Sequence, residues 1–449
     1  MEYEPNQSIK LPDFSHHVFG GVLESDSAGY YPGLELLNLI YCNHKKEMLP
    51  TDKEIKVFRQ SMDFARKLVW DSFFHTDPRK EEVLVDQITV NNLAKLLECL
   101  QLEIPNAVKK PAWHRAHFFP YTENLIHYDA RRKKRTEDVD HKVEIERKYL
   151  RGSGALAFKV LRLNPNAQQK EQISRGLENM FSGSEKGALD KIVKVFREKS
   201  LADENPSYDE IEDKKTTCRN DELDEIYRFG VANILSYESF SPAIRTKALV
   251  KWTGIWLTLA QSARAENFLD PESSMVPFII DAGNSNKKLR QASSSNFKEK
   301  LSSIERSIEK AIDQYNVTAP SEKYFKLSGK ARSSIRGFFS LSCATLELVN
   351  SFRGKRHFTL GVNALETFVM AGIKEGDEQE YSKFLNDWLG KRCRLLIGHK
   401  LAEELGYFER FDGSIFKSND ISFSNHLRAA GLLTEYSDET KMVGLKANV

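Results

Sequence analysis

The chain has 449 residues and a mass of 51.5 kDa, more than one core of about 100–200 residues accommodates, so two or three domains are expected. Charged residues at 29 % and aromatic residues at 10 %, with 66 Lys+Arg against 64 Asp+Glu, exclude wholesale disorder. The longest uncharged apolar stretch, 252–263, is shorter than the roughly 18–20 residues of a membrane span, and the start Met1-Glu2-Tyr3-Glu4 carries no leader pattern, so a cytoplasmic protein without membrane contact is expected.

Helical periodicity dominates. Ile55, Phe58, Met62, Ala65 and Val69 recur at three to four residues and predict a first helix, followed by others at 87–101 and 186–199. Residues 155–163 fit a strand or a helix equally. Helices are expected at 223–235, 242–264, 330–350, 362–371 and 380–389, and Ile304, Ile308, Ala311 and Ile312 mark another; Pro242 stands where a first-turn proline is tolerated. The apolar run 274–281 reads as a strand ending at Asp281, which a turn cap suits better than a catalytic role. The fold class is therefore mainly α: a multi-domain helical protein with minor β elements.

The last 70 or so residues have their own order. A helix is followed by the basic apolar segment 391–405, a loop at Asp412-Gly413-Ser414, a short helix 422–430 capped by Gly431, and extended pieces at 432–436 and 441–445. That order predicts a winged-helix-like module. Ser422, Asn425, His426 and Arg428 then lie on the helix that would enter a major groove, whereas Glu435, Asp438 and Glu439 in the wing repel phosphate and favour subunit docking. The expected division is a helical domain 1–200 with a basic belt at 109–151, an acidic linker or loop 201–225, a helical domain 226–375 with a basic surface at 323–356, and the module 376–449.

Charge is segregated along the chain. In 323–356 eight Lys/Arg face one acid, Glu347, and Lys326, Lys330, Arg332, Arg336, Arg353, Lys355 and Arg356 form an array suited to salt-dependent contact with a nucleic-acid backbone. Lys326/Lys330 and Arg332/Arg336 would project along one helix edge, with Ser328 or Gly329 leaving amides free for an anion. The belt adds Arg131, Arg132, Lys133, Lys134 and Arg135, with Glu137, Asp138 and Asp140 close by. The chain's own acidic segment 201–226 or an acidic partner protein is the competing partner for these surfaces.

Catalytic motifs are sparse. There is no GxxxxGK[ST], HExxH or GxSxG pattern; Ser328-Gly329-Lys330 is followed by Ala331, which has no hydroxyl for magnesium. Arg151-Gly152-Ser153-Gly154 has the look of a phosphate cradle, with a plain turn as the alternative. His114 and His117 are a candidate metal pair in an HxxH spacing, set among Trp113, Phe118 and Phe119 that suggest packing instead. Asp140, Glu146 and Lys148 are the nearest approach to a metal-dependent nuclease, in which two carboxylates hold magnesium and a lysine steadies the attacking water; a solvated charged helix gives the same triplet. The five cysteines form no CxxC pair and are expected to be reduced thiols, and no cofactor is expected.

Three stretches, 146–163 (ERKYLRGSGALAFKVLRL), 277–290 (PFIIDAGNSNKKLR) and 423–436 (FSNHLRAAGLLTEY), resemble the helical accessory subunits found beside large ATPases in bacterial anti-phage and modification-dependent restriction systems. The resemblance transfers no catalytic motif. It implies a subunit of a defence complex with a partner ATPase or nuclease. The expected function is a non-catalytic subunit that tethers duplex DNA for that partner; the alternatives are a nuclease built on Asp140, Glu146 and Lys148, and a pure protein scaffold.

Overall fold

The computed structural model describes residues 9–43, 47–52, 55, 57–61, 130–132, 143–145, 152–182, 207–211, 213–272, 276–283, 286–351, 355–437 and 440–445. In chain order the elements are α1 (Leu11–Phe19), α2 (Tyr31–Asn43), β1 (Val57–Ser61), β2 (Ala130–Arg132), β3 (Val143–Ile145), α3 (Ser153–Arg162), α4 (Ala167–Ser182) and β4 (Ser207–Ile211). They continue with α5 (Glu222–Ser236), α6 (Pro242–Leu269), β5 (Phe278–Ile279), α7 (Lys287–Thr318), α8 (Gly329–Thr345) and α9 (Val362–Gly372). The last are β6 (Gln379–Glu380), α10 (Tyr381–Lys383, continued by the π-helical turns Phe384–Arg392), β7 (Leu395–Leu396), α11 (His399–Glu404), α12 (Gly413–Ala429), β8 (Leu433–Glu435) and β9 (Lys441–Val443). The protein is mainly helical. Among the described residues no helix is long and apolar enough to cross a membrane.

The fold is organised around α6. Pro242 sits in its first turn, and from Ala248 to Ala265 the residues are buried on every face, so the helix is not amphipathic but enclosed. α1, α2, α4, α5, α7, α8 and α9 all pack against it. Trp252 and Trp256 are fully buried; Trp256 stacks on Tyr227 of α5 at 4.1 Å between ring centroids, and Trp252 donates its indole N–H to the Tyr227 carbonyl at 3.2 Å. Burying each such aromatic contributes several kcal/mol before conformational entropy is subtracted. α2 approaches so closely that a Cβ on Gly33 would stand 2.5 Å from the Val250 backbone. A single apolar cluster runs from Phe14 through Leu156, Ile234, Phe338 and Phe368 to Val443, so the described parts of 1–200, 226–375 and 376–449 all contribute to one core.

Several expectations need correction. Residues 57–61, predicted as part of a helix, form a strand paired antiparallel with β4, Val57 opposite Ile211 and Ser61 opposite Ser207; a partner some 150 residues away overrides the local period. The ambiguous 155–163 run is α3. Helix 330–350 ends early, at Thr345, because Glu347 takes φ +59° and Val349 bridges to Phe358. The short helix 422–430 is only the second half of α12, which starts at Gly413; Asp412, assigned to a loop, caps it by accepting a hydrogen bond from Ser414 N at 2.9 Å. The predicted helices at 87–101 and 186–199 lie outside the described residues.

The acidic stretch is tied down at its C-terminal end. Asp224 is fully buried and accepts from Arg219 N and Asn220 N at 3.0 and 2.9 Å. Arg264 of α6 reaches the Asp224 carboxylate at 2.6 Å, Asp221 at 3.1 Å and the Phe19 carbonyl at 2.8 Å, joining α1, α5 and α6 through one guanidinium. Burial works against ionisation of Asp221, but Arg264 outweighs it and holds the carboxyl below its usual range.

The Gly152-Ser153-Gly154 turn binds an anion, and the anion is the chain's own; Arg151 lies outside the described residues. The carboxylate of Glu35, a fully buried residue of α2, accepts from Gly152 N at 2.9 and 3.0 Å and from Gly154 N at 2.8 Å. The amides at the start of α3 are thereby spent, which corrects the phosphate-cradle reading. Gly152 takes φ +99° to open the turn.

Candidate nucleic-acid interface

The C-terminal region builds a small sheet in the order β6–β9–β8. β9 is central, pairing Gln379 with Val443 on one side and Leu433 with Val443, Thr434 with Met442 and Glu435 with Lys441 on the other, all antiparallel. α12 leads into this sheet through Gly431, at φ +72°. Its inner face, Ile415, Phe416, Asn419, Phe423 and Leu427, is buried. Asn419 fixes the helix from below: its Oδ1 accepts from Ala282 N, and its Nδ2 donates to Ile280 O and Ile397 O, each at 2.9 Å. Those carbonyls flank β5 and β7, which pair in parallel, Phe278 with Leu395 and Ile279 with Leu396. On the preceding helix the π-turns carry Trp388 to the Phe368 carbonyl of α9 at 2.9 Å.

The outer face of α12 carries Ser414, Lys417, Ser418, Ile421, Asn425, His426 and Arg428, all exposed. Ser422 turns its hydroxyl to Ser418 O at 3.1 Å, and His426 lies against Gly283. Asn425 makes no side-chain hydrogen bond with a described residue. Arg428 pairs with Glu435 of β8, and Lys441 of β9 reaches the same carboxylate at 3.1 Å. The Glu435 charge is thus neutralised, and its carboxyl is held below the usual range by the hydrogen bond from Lys441, with Arg428 acting in the same direction. Asp438 and Glu439 lie outside the described residues. Lys417 and Ile421 precede the 422–430 helix that the sequence predicts; the Asp412 cap ahead of the Ile415, Phe416, Asn419, Phe423 period is the signal that places them on the same helix.

The basic surface of 323–356 is rearranged by packing on α7. Arg332 forms ion pairs with Glu305 and Glu309, and Arg336 reaches Glu305 at 3.4 Å, so the centre of the array is compensated. Lys326 precedes α8 in an extended segment and does not share a helix edge with Lys330. Ser328 caps α8 by accepting from Ala331 N at 3.2 Å. Arg356 stands over the Phe297 ring at 5.9 Å and donates to Ser340 O at 3.3 Å. Lys326, Lys330 and Lys355 are exposed and form no ion pair among the described residues. Asn316 of α7 bonds Phe325, next to Lys326, and Phe297 of α7 meets Arg356, next to Lys355; these two α7 positions are about 29 Å apart along the helix, and Lys330 stands on α8.

Arg353 and the residues Lys133, Lys134 and Arg135 lie outside the described residues, as do His114, His117, Asp140, Glu146 and Lys148. Arg131 and Arg132 lie on β2, which pairs antiparallel with β3 and sets Arg131 opposite Glu144. Asp281 is not a turn cap: its buried carboxylate meets Arg290 Nε at 3.0 Å and His357 Nε2 at 3.5 Å. Among the described residues, no group of three or more His, Cys, Asp or Glu side chains is placed to hold a metal ion, and Cys218, Cys343 and Cys393 are free. In comparisons with known proteins, no family model, no curated protein and no solved structure matches the chain.

Proposed function

We propose that the chain is a non-catalytic subunit that binds nucleic acid by backbone contact, through a winged-helix-like C-terminal module and the lysines along α7, while a partner ATPase or nuclease supplies the chemistry. The observation that carries this reading is the module itself: a β6–β9–β8 sheet closing on α12, with Lys417, Asn425 and Arg428 outward and the wing's Glu435 already neutralised. Lys326, Lys330 and Lys355 add uncompensated positive charge, and each phosphate they neutralise would release counterion.

The test pairs two variants. The triple substitution Lys326→Ala, Lys330→Ala, Lys355→Ala should weaken duplex binding and reduce the slope of log affinity against log salt by about 2–3. Glu305→Gln with Glu309→Gln should act oppositely, because it releases Arg332 and Arg336 for phosphate. If neither variant changes affinity or slope, the α7 surface is not the contact.

A second reading, docking of protein on α12, is favoured by Ile421, which is 64 % exposed at the middle of the outer face. Lys417→Ala with Asn425→Ala separates the two: nucleic-acid binding falls under the first reading and is unchanged under the second.

A further inference from the structure

A cavity of about 330 Å³ opens where the turn before α5 meets the end of α6, walled by Arg219, Asp221, Glu266, Asn267, Asp270 and Arg394 among others. That volume lies at the lower end of small-molecule sites. The two half-buried acids of the wall already have partners. Asp221 belongs to Arg264, and Glu266 to Lys300, whose ammonium reaches it at 2.6 Å and also donates to Val276 O at 2.6 Å.

Two guanidiniums have no such partner among the described residues. Arg219 donates to the carbonyls of His17 and Val18, at 2.9 and 2.6 Å, and to no carboxylate. Burial and the nearby Arg264 both press against its charge, with Asp221 and Asp224 opposing them. Arg394, half-buried, makes no side-chain hydrogen bond or ion pair with any described residue.

Arg394 is also held in a conformation that suits glycine. Its φ is +62°, fixed by the hydrogen bond from Phe278 N to its carbonyl at 2.8 Å just before β7 pairs with β5. Asn220, between two cavity residues, is left-handed as well, at φ +52°. Asparagine accepts that conformation readily, so the strained residue at this cavity is Arg394. A glycine at 394 would relieve the backbone; the guanidinium is what the arginine adds.

We infer that this cavity binds a small anionic molecule, its phosphate or carboxylate taken by Arg394 and Arg219 and its hydrogen-bond donors turned toward the exposed carboxylate of Asp270. Glu222 and Asp270 at the rim select against a bare polyanion and for a ligand that carries donors as well as the anionic head. The site shares no residue with the outer face of α12 or with Lys326, Lys330 and Lys355, so it stands whether or not the chain binds nucleic acid.

Calorimetric titration of the full chain with adenosine monophosphate, glutamate and inorganic phosphate tests this. Saturable binding of adenosine monophosphate or of glutamate, stronger than that of inorganic phosphate, is expected, and which of the two binds identifies the anionic head. Arg394→Gly and Arg394→Asn should each weaken that binding at least tenfold while leaving the melting temperature equal or higher, since both residues accept a positive φ. The inference is overturned if none of the three probes binds at millimolar concentration, if binding survives both variants, or if both variants melt several degrees lower, which would make Arg394 a structural residue.

Discussion

Replacing Arg264 with alanine is expected to destabilise the protein by about 3–5 kcal/mol, read as a lowered denaturation midpoint at unchanged slope. Arg264 is almost fully buried and serves Asp221, Asp224 and the Phe19 carbonyl at once. Its removal leaves the Asp224 carboxylate, which is fully inaccessible, without its cation. Arg264→Lys should recover little, because one ammonium cannot span three acceptors on α1 and α5 as a planar guanidinium does. The pH dependence follows from Asp221. Its folded-state carboxyl is held below the ordinary value, so its contribution is fully present above about pH 4 and is lost as pH falls through the depressed folded value. Wild type should therefore lose stability on acidification more steeply than Arg264→Ala, in which that shift is gone.

Glu35→Ala is expected to cost about 3 kcal/mol or more, since three charge-assisted hydrogen bonds to the amides of Gly152 and Gly154 disappear together. Water cannot readily take their place: a Cβ on Gly154 would stand 2.6 Å from the Glu35 Cβ and 2.7 Å from the Pro32 carbonyl, so α2 and α3 are in direct contact there. Glu35→Gln should lose less, because its carbonyl oxygen still accepts, though its NH2 would face a donor. Urea unfolding of both variants checks the order; a Glu35→Ala variant as stable as wild type would mean that the amides are satisfied in some other way.

The sequence showed the helices whose burial period is local. Leu223 to Leu235 and Val362 to Ala371 appear within a residue or two, and α6 followed from its apolar content and Pro242. It hid whatever depended on a distant partner. The period of Ile55 and Phe58 is helical, yet the backbone of 57–61 pairs with 207–211. The Gly152 turn reads as an open anion cradle until Glu35, 117 residues earlier, is seen in it. The same holds for the basic array: Arg332 and Arg336 are conspicuous in sequence, but Glu305 and Glu309 meet them only once α8 lies along α7. The start of α12 was lost for a different reason. Asp-Gly-Ser suits a turn and a helix cap equally, because in both the aspartate side chain accepts from a nearby backbone amide. Arg394 and Arg219, 175 residues apart, carried no signal in the sequence at all.

The central claim is tested most directly by binding of the purified chain to labelled duplex and single-stranded DNA across a salt series from about 50 to 200 mM, with and without magnesium. The account predicts saturable binding that weakens steeply and log-linearly with salt, does not depend on sequence, and leaves the DNA uncut. Absence of binding at the lowest salt, or binding indifferent to salt, would contradict it and assign Lys326, Lys330, Lys355 and the outer face of α12 to an acidic protein partner.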